Sequence, residues 1–256
     1  MEAVDSGLTL FDTADVYGLG LSEKRLGRIL GKRRHNLWIS TKGGVAWRSE
    51  KLRRRARTWK DGTSRYLVSA VEGSLRRLNM GSIPIYFLHW PDPATSLRES
   101  FATLEGLRKY GKVQHLGFSN PSPSELKKAI NYAKISFIQT RANFLDGIDD
   151  QLVKICKESG IRIMAYNVLG AGLLTGKFKK DAKFPTSDRR SRLAAFTPKQ
   201  IQDTSKKLEF HRQEADQMGI SLAQYAIRWA LNCPGVTSVI LGIKSRRQLK
   251  ENLSFE

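Results

Sequence analysis

The chain has 256 residues, enough for one large domain. Its 44 Lys and Arg against 24 Asp and Glu give a net charge of +20, unusual for a metabolic enzyme and suited to anionic ligands. Two cysteines, Cys156 and Cys233, exclude a disulfide framework, no apolar run approaches the ~18 residues of a transmembrane helix, and the first residues lack a signal segment, so the sequence reads as a cytoplasmic protein without membrane insertion.

In chain order, an apolar run at residues 8–11 reads as a strand. A polar loop follows, then a helix opening at Ser22 and Glu23 with Leu26, Ile29 and Leu30 at helical spacing. Residues 37–42 and 83–89 are further strand-like runs. Between them residues 48–60 form the densest basic run, assigned to a loop. Residues 95–110 place Leu97, Phe101, Leu104 and Leu107 on one helical face, and Gly111 suits a C-cap. Strands at 115–120, 137–143 and 161–168 alternate with helices at 123–134, opened by Ser122, and at 150–159. A second basic run, residues 177–183, and a polar stretch at 185–196 are assigned to loops. Helices at 198–218 and 221–232, a strand at 239–243 and a helix from Arg246 complete the series. Strands alternating with helices argue for a parallel sheet, in one domain spanning residues 1–256.

The first strand runs into Phe11-Asp12-Thr13-Ala14-Asp15-Val16-Tyr17-Gly18. The next two candidate strands end in Lys42 and His89. If the three are successive and parallel, their ends lie about 4.8 Å apart and Asp12, Lys42 and His89 converge, with Tyr17 reaching over from its loop. An ammonium beside a phenol favours the phenolate, and a carboxylate beside that ammonium keeps it charged. The set describes a tyrosine tuned as a proton donor. Each residue alone has a plainer reading: Asp12 and Lys42 as a structural ion pair, His89 as a core histidine, Tyr17 as a loop residue. Their joint occurrence at strand ends points to chemistry. The basic runs read first as solvated loop charge and second as attraction for an anionic substrate or cofactor. A nucleic-acid surface ranks third, because the first run carries one aromatic, Trp59, and no recognisable binding fold. No Cys/His grouping has metal-ligand spacing, so no metal is expected.

The pieces FDTADVYG, SEKRLGRIL, WISTK, FLHWPDP, GKVQHLGFSN and VILGIKSRRQLKEN, in this order from about Ala3 to Asn252, resemble those of the aldo-keto reductases. The likeness is to the branch that includes the potassium-channel β subunits and many bacterial and plant reductases. It implies an α/β fold, a (β/α)8 TIM-type barrel, and NADPH-dependent reduction of a ketone or aldehyde. In that role Asp12, Tyr17, Lys42 and His89 are catalytic. Ser119, Asn120 and Gln139 hold the nicotinamide carboxamide, and Tyr166 stacks on its ring. The segment 169–176, from Leu169, covers the pyrophosphate. Gly242, Lys244, Gln248, Glu251 and Asn252 take the adenosine end, with Lys244 and Arg246 or Arg247 suited to a 2′-phosphate. Trp47 and Trp90 are candidate substrate-pocket walls.

The chain departs from that family in places. Pro84 stands where an acidic residue is usual and is expected to disturb the start of its strand. Asn167-Val168 replaces Ser-Pro, and Gln114 replaces Arg. Seven strands are visible, near Leu8, Leu37, Ile83, His115, Phe137, Ile161 and Val239, where the family pattern has eight. The first barrel strand is expected to be missing, the chain to be truncated at both ends, and residues 1–6 to be helical or disordered. Two alternatives follow from the same resemblance: a cofactor-binding regulatory or scaffold subunit assembling as a homo-oligomer, and an inactive truncated paralogue.

Overall fold

The structure, a computed structural model, describes residues 1–48 and 57–254. The chain forms two compact units, Met1–Thr140 with Asp150–Ile163, and Arg141–Asp149 with Met164–Glu256.

The first unit opens with a helical turn, α1 (Glu2–Asp5), which meets the expectation for residues 1–6. Next come β1 (Leu10–Asp12), α2 (Leu21–Leu30) and β2 (Trp38–Gly43). A hairpin of β3 (Val45–Arg48) and β4 (Arg57–Lys60) follows, then α3 (Ser64–Leu78), β5 (Ile83–Leu88), α4 (Leu97–Lys109), β6 (Val113–Ser119), α5 (Pro123–Ala129), β7 (Ile135–Arg141), α6 (Asp150–Ser159) and the start of β8 (Arg162–Tyr166). Five strands pair in the order β1-β2-β5-β6-β7, and the four pairings along this order are all parallel. All six residues of β5 are buried, the mark of a parallel strand covered on both faces. The helices lay apolar stripes on the sheet: Leu67, Val71 and Leu78 of α3, and Phe101 and Leu104 of α4, have no exposed surface. Their starts are fixed by side-chain caps, Thr63 on the Tyr66 amide and Ser96 on the Glu99 amide, and by a full capping box of Ser122 and Glu125 on α5.

Pro84 does not disturb its strand. β5 begins at Ile83, whose amide bonds the Lys112 carbonyl, and its ladder with β2 starts only at Ile85. The proline sits where no ladder donor is needed.

Two elements go beyond the sequence reading. Helix α3 was not singled out, although Thr63 and the stripe Leu67, Val71, Leu75, Leu78 carry its signal. Part of the first basic run is strand and not loop. Arg57–Lys60 pairs antiparallel with Val45–Arg48, Ala46 opposite Trp59 and Trp47 opposite Thr58. Thr58 and Trp59 suit a strand, all four residues are exposed, and the charged Arg57 and Lys60 fall on opposite faces. The rest of that run, residues 49–56, lies outside the described residues.

Gly117 on β6 shows how tightly the first unit packs. A Cβ there would stand 2.2 Å from Cε1 of the fully buried Phe87, its register partner. Gly117→Ala is therefore expected to lower stability by about 1–3 kcal/mol. Urea denaturation at constant m-value measures it, and a midpoint equal to wild type would contradict this packing.

The second unit holds the end of β8, then α7 (Pro198–Gln217), α8 (Leu222–Leu231), β9 (Val236–Val239) and α9 (Arg246–Leu253). The Ile240 amide bonds the Ala165 carbonyl beside β9. The last strand thus runs Val236–Val239, about three residues earlier than the sequence reading placed it, and the Ile240 amide carries its bonding to β8 one residue further. Ala165, Val168, Ala226, Ile227 and Ala230 form one core cluster, and Leu174, Leu208, Ala215 and Leu222 a second. Within the stretch read as loop, Phe178, Phe184 and Phe196 pack edge to face with ring centroids 5.2–5.6 Å apart. With β8 and β9, seven strands of the strand–helix series occur among the described residues, the number expected.

Candidate active site

Strand register carries the site. Asp12 lies opposite Ser40, Lys42 opposite Phe87, Leu88 opposite Phe118, and Ser119 opposite Gln139. The C-terminal ends of β1, β2, β5, β6 and β7 thereby present Asp12, Lys42, His89, Asn120 and Gln139 along one edge of the first unit. The loops stay pinned to the neighbouring strand by backbone bonds: Thr13 N to Ser40 O, Asp15 N to Lys42 O, His89 N to Gly43 O, and Asn120 N to Gln139 O.

Lys42 is the centre. Its Nζ donates to Asp12 Oδ2 at 2.6 Å and to the Thr13 carbonyl at 2.7 Å. Asp12 Oδ1 accepts from Ser40 Oγ at 2.5 Å and from Gln139 Nε2 at 2.7 Å, so both carboxylate oxygens are held. Nζ stands 5.4 Å from the centroid of the Tyr17 ring. The Tyr17 ring meets His89 edge-on at 5.8 Å. Lys42 is 2% exposed. Burial lowers its pKa, against the pull of Asp12 first and then of Asp15 and Glu23.

His89 is neutral here. Burial, and then the Lys42 charge, lower its pKa from 6.5 to about 3, and its buried Nδ1 has no partner among the described residues. Asn120 Nδ2 donates to the His89 carbonyl at 3.1 Å. Because the folded pKa is depressed, the unfolded chain takes up this proton first, so His89 makes stability fall as pH drops from about 6.5 towards 3. A His89 ring resonance that stays unshifted between pH 7 and 5 in an NMR titration is the expected result. A midpoint near 6.5 would show an open, solvated histidine.

One residue of the opening motif has neighbours that the linear pattern did not reveal. Asp15 is fully buried, and burial, then the nearby Glu23 charge, push its carboxyl up to about 7. Tyr66 Oη lies 3.3 Å from Asp15 Oδ2. Glu23, also fully buried, accepts from Thr41 Oγ1 at 2.6 Å and pairs with Arg77 Nε at 2.5 Å. These two acids, from the loop after β1 and from α2, act on Lys42 and are held by partners from β2 and α3.

The remaining cofactor candidates belong to the second unit. Tyr166 ends β8 half-buried. Leu169 leads into a 3-10 turn whose Gly170, Ala171 and Gly172 have positive φ, a backbone path that leaves amides uncovered. Gly242 and Lys244 are exposed, the Lys244 amide bonds Gln248 Oε1 at 2.8 Å, the Glu251 carbonyl accepts from Gln224 Nε2, and Asn252 is buried. Lys177 and Arg190 join this set electrostatically. Burial, and then the charges of Arg190, Lys244 and Arg247, lower the Lys177 pKa. Glu251 acts on Lys177 in the opposite sense and Arg190 is paired to Asp188, and the excess of positive charge that remains fits a phosphate-rich group. Of the two tryptophans, Trp47 lies 5.8 Å from the Arg77 guanidinium, and Trp90, 40% exposed, lies 5.4 Å from the Lys60 ammonium.

A family model described as "Aldo/keto reductase family" matches residues 1–256. The chain belongs to the aldo/keto reductase family. It is an oxidoreductase of that family, whose members reduce carbonyls with a nicotinamide cofactor. Aldo-keto reductase YhdN of Bacillus subtilis is 29% identical over 252 residues, covering 97% of this chain and 74% of its own length. The NADH-specific methylglyoxal reductase of Escherichia coli is 27% identical over 263 residues, covering 99% and 80%. The structure of the glycerol dehydrogenase AKR11B4 from Gluconobacter oxydans superposes with a TM-score of 0.85 at 29% identity, over 98% of this chain and 81% of that one. That likeness assigns this reductase to the α/β class of the (β/α)8 barrel. Among its described residues no helix is long and apolar enough to cross a membrane.

Proposed function

We propose that this chain reduces a ketone or aldehyde to an alcohol with NADPH, Tyr17 giving the proton to the carbonyl oxygen. The observation that carries the reading is the buried Lys42, clamped by Asp12 Oδ2 at 2.6 Å and aimed at the Tyr17 ring. Its ammonium stabilises the phenolate left when the proton goes, and Asp12 keeps the ammonium charged and in place. Neutral His89 keeps one donor and one acceptor nitrogen, the equipment for hydrogen-bonding and orienting a carbonyl. The bound cofactor supplies hydride to the carbonyl carbon.

Ser119, Asn120 and Gln139 suit the carboxamide. Gln139 commits its Nε2 to Asp12, so its part is the acceptor oxygen. Tyr166 offers a ring face, the turn from Leu169 offers backbone amides, and Gly242, Lys244, Gln248, Glu251 and Asn252 suit the adenosine end. Trp47 and Trp90 are proposed as walls for the substrate. A fluorescence titration with NADPH, followed by a panel of aldehydes and ketones, tests the whole. Saturable binding with turnover is expected. Binding without turnover on any carbonyl would favour a regulatory subunit, and no binding an inactive chain.

Cofactor preference is a separate expectation. Lys177, Lys244 and Arg247 crowd positive charge where a 2′-phosphate would help, and one charge-assisted contact is worth about 1.5–3 kcal/mol. NADPH should therefore bind at least about tenfold more tightly than NADH. The E. coli relative named NADH-specific makes this a real contest. Equal dissociation constants would refute the 2′-phosphate role of this cluster.

A further inference from the structure

An open pocket of about 620 Å³ lies between α2 and α3 of the first unit. Four of its lining residues are cations: Lys24 and Arg28, one turn apart on α2, and Arg76 and Arg77 at the end of α3. None of its lining residues is acidic. Arg77 is already paired to Glu23, but among the described residues Lys24, Arg28 and Arg76 have no salt bridge. The end of α3 accounts for Arg76, because cations suit a helix C-terminus. It does not account for Lys24 and Arg28, like charges at i,i+4 for which Glu23, already paired to Arg77, makes no salt bridge. The buried Gly27 and Gly73 also line the pocket. The helices approach so closely at Gly27 that a Cβ would stand 2.6 Å from the Leu78 carbonyl. At Gly73 a Cβ would stand 2.8 Å from Arg77 Nη1, so both glycines serve close packing beneath the pocket, and the cationic heads line its open side.

The lining names the ligand class. Two guanidinium forks and an ammonium match phosphate oxygens, the forks bidentately. No lining residue is aromatic, so a base would find no stacking platform and the phosphates themselves would be recognised. The volume is that of a small-molecule site. We propose that this pocket binds a compact molecule carrying two or more linked phosphates, held by Lys24, Arg28 and Arg76. These residues are other than those proposed for the nicotinamide cofactor, so the two ligands bind independently. Leu19, also in the lining, stands two residues after Tyr17, so an occupied pocket touches the loop that carries the proposed donor.

Inorganic tripolyphosphate is the probe, titrated by calorimetry into the protein saturated with NADP+. Saturable binding of one equivalent, weakening as salt rises, is expected. R28E/R76E should weaken it at least tenfold and leave the affinity for NADP+ unchanged. K127E/K128E on α5, an equal change in net charge, should leave tripolyphosphate binding within twofold. If R28E/R76E does not fold, R28Q/R76Q serves with the same expectation. No binding in the presence of NADP+, an R28E/R76E affinity equal to wild type, or equal losses in both double variants would overturn the proposal. Tighter binding of a single-stranded RNA oligomer than of tripolyphosphate, lost in R28E/R76E, would overturn it in favour of a nucleic-acid face.

Discussion

Tyr17→Phe removes carbonyl reduction, by about 10²-fold or more, and leaves the dissociation constant for NADPH within a few-fold. The magnitude is that of a positioned general acid, about 10²–10⁴-fold. Phenylalanine keeps the ring that lies 5.4 Å from Lys42 Nζ and 5.8 Å from His89, so these ring contacts survive while the hydroxyl is lost. The cofactor should be untouched because Tyr17 is proposed to act on the carbonyl oxygen of the substrate. Single-turnover hydride transfer is the decisive measurement, since it excludes product release. A rate equal to wild type would dismiss Tyr17 as the donor.

Lys42→Met has the largest effect on the protein itself. It leaves Asp12 as a near-buried carboxylate with Ser40 and Gln139 for company and no counter-charge. Breaking a buried pair by removing one partner costs about 3–5 kcal/mol. The double variant Asp12→Asn/Lys42→Met removes both charges and should recover most of that loss while staying inactive. Urea midpoints for the three proteins separate the two effects. A single variant as stable as wild type would mean that Asp12 is well solvated without Lys42, and the ion pair would then lose its proposed role in holding the ammonium.

What could be read from the linear chain was whatever short-range pattern encodes. Asp12, Lys42 and His89 each follow an apolar run, and parallel pairing then brings them together, because register in a sheet with buried faces is strongly specified. The clamp on Asp12 was harder. Gln139 reaches it from 127 positions away, and its apparent place was with the cofactor. The environment of Asp15 was invisible, since Glu23, Tyr66 and Arg77 come from α2 and α3 and no spacing announces them. The hairpin β3–β4 was hidden by its charge: Arg57-Thr58-Trp59-Lys60 looks like a solvated loop until Trp47 and Ala46 are known to lie opposite. Pro84 misled in the other direction, because composition cannot tell at which residue a ladder begins. Lys177 and Lys244 are 67 positions apart (244 − 177), and only folding makes their charges one group.

Tyr17 is 43% exposed, while the Lys42 beside it is 2% exposed. The difference bears on how the site resets between turnovers. After giving up its proton the phenol must regain one, and Lys42 cannot be the lender without discharging the ammonium that makes the donor work. On the proposed mechanism the exposure of Tyr17 gives the returning proton a route from bulk water. On that mechanism Lys42 would serve as a fixed charge while the phenol is reprotonated from outside.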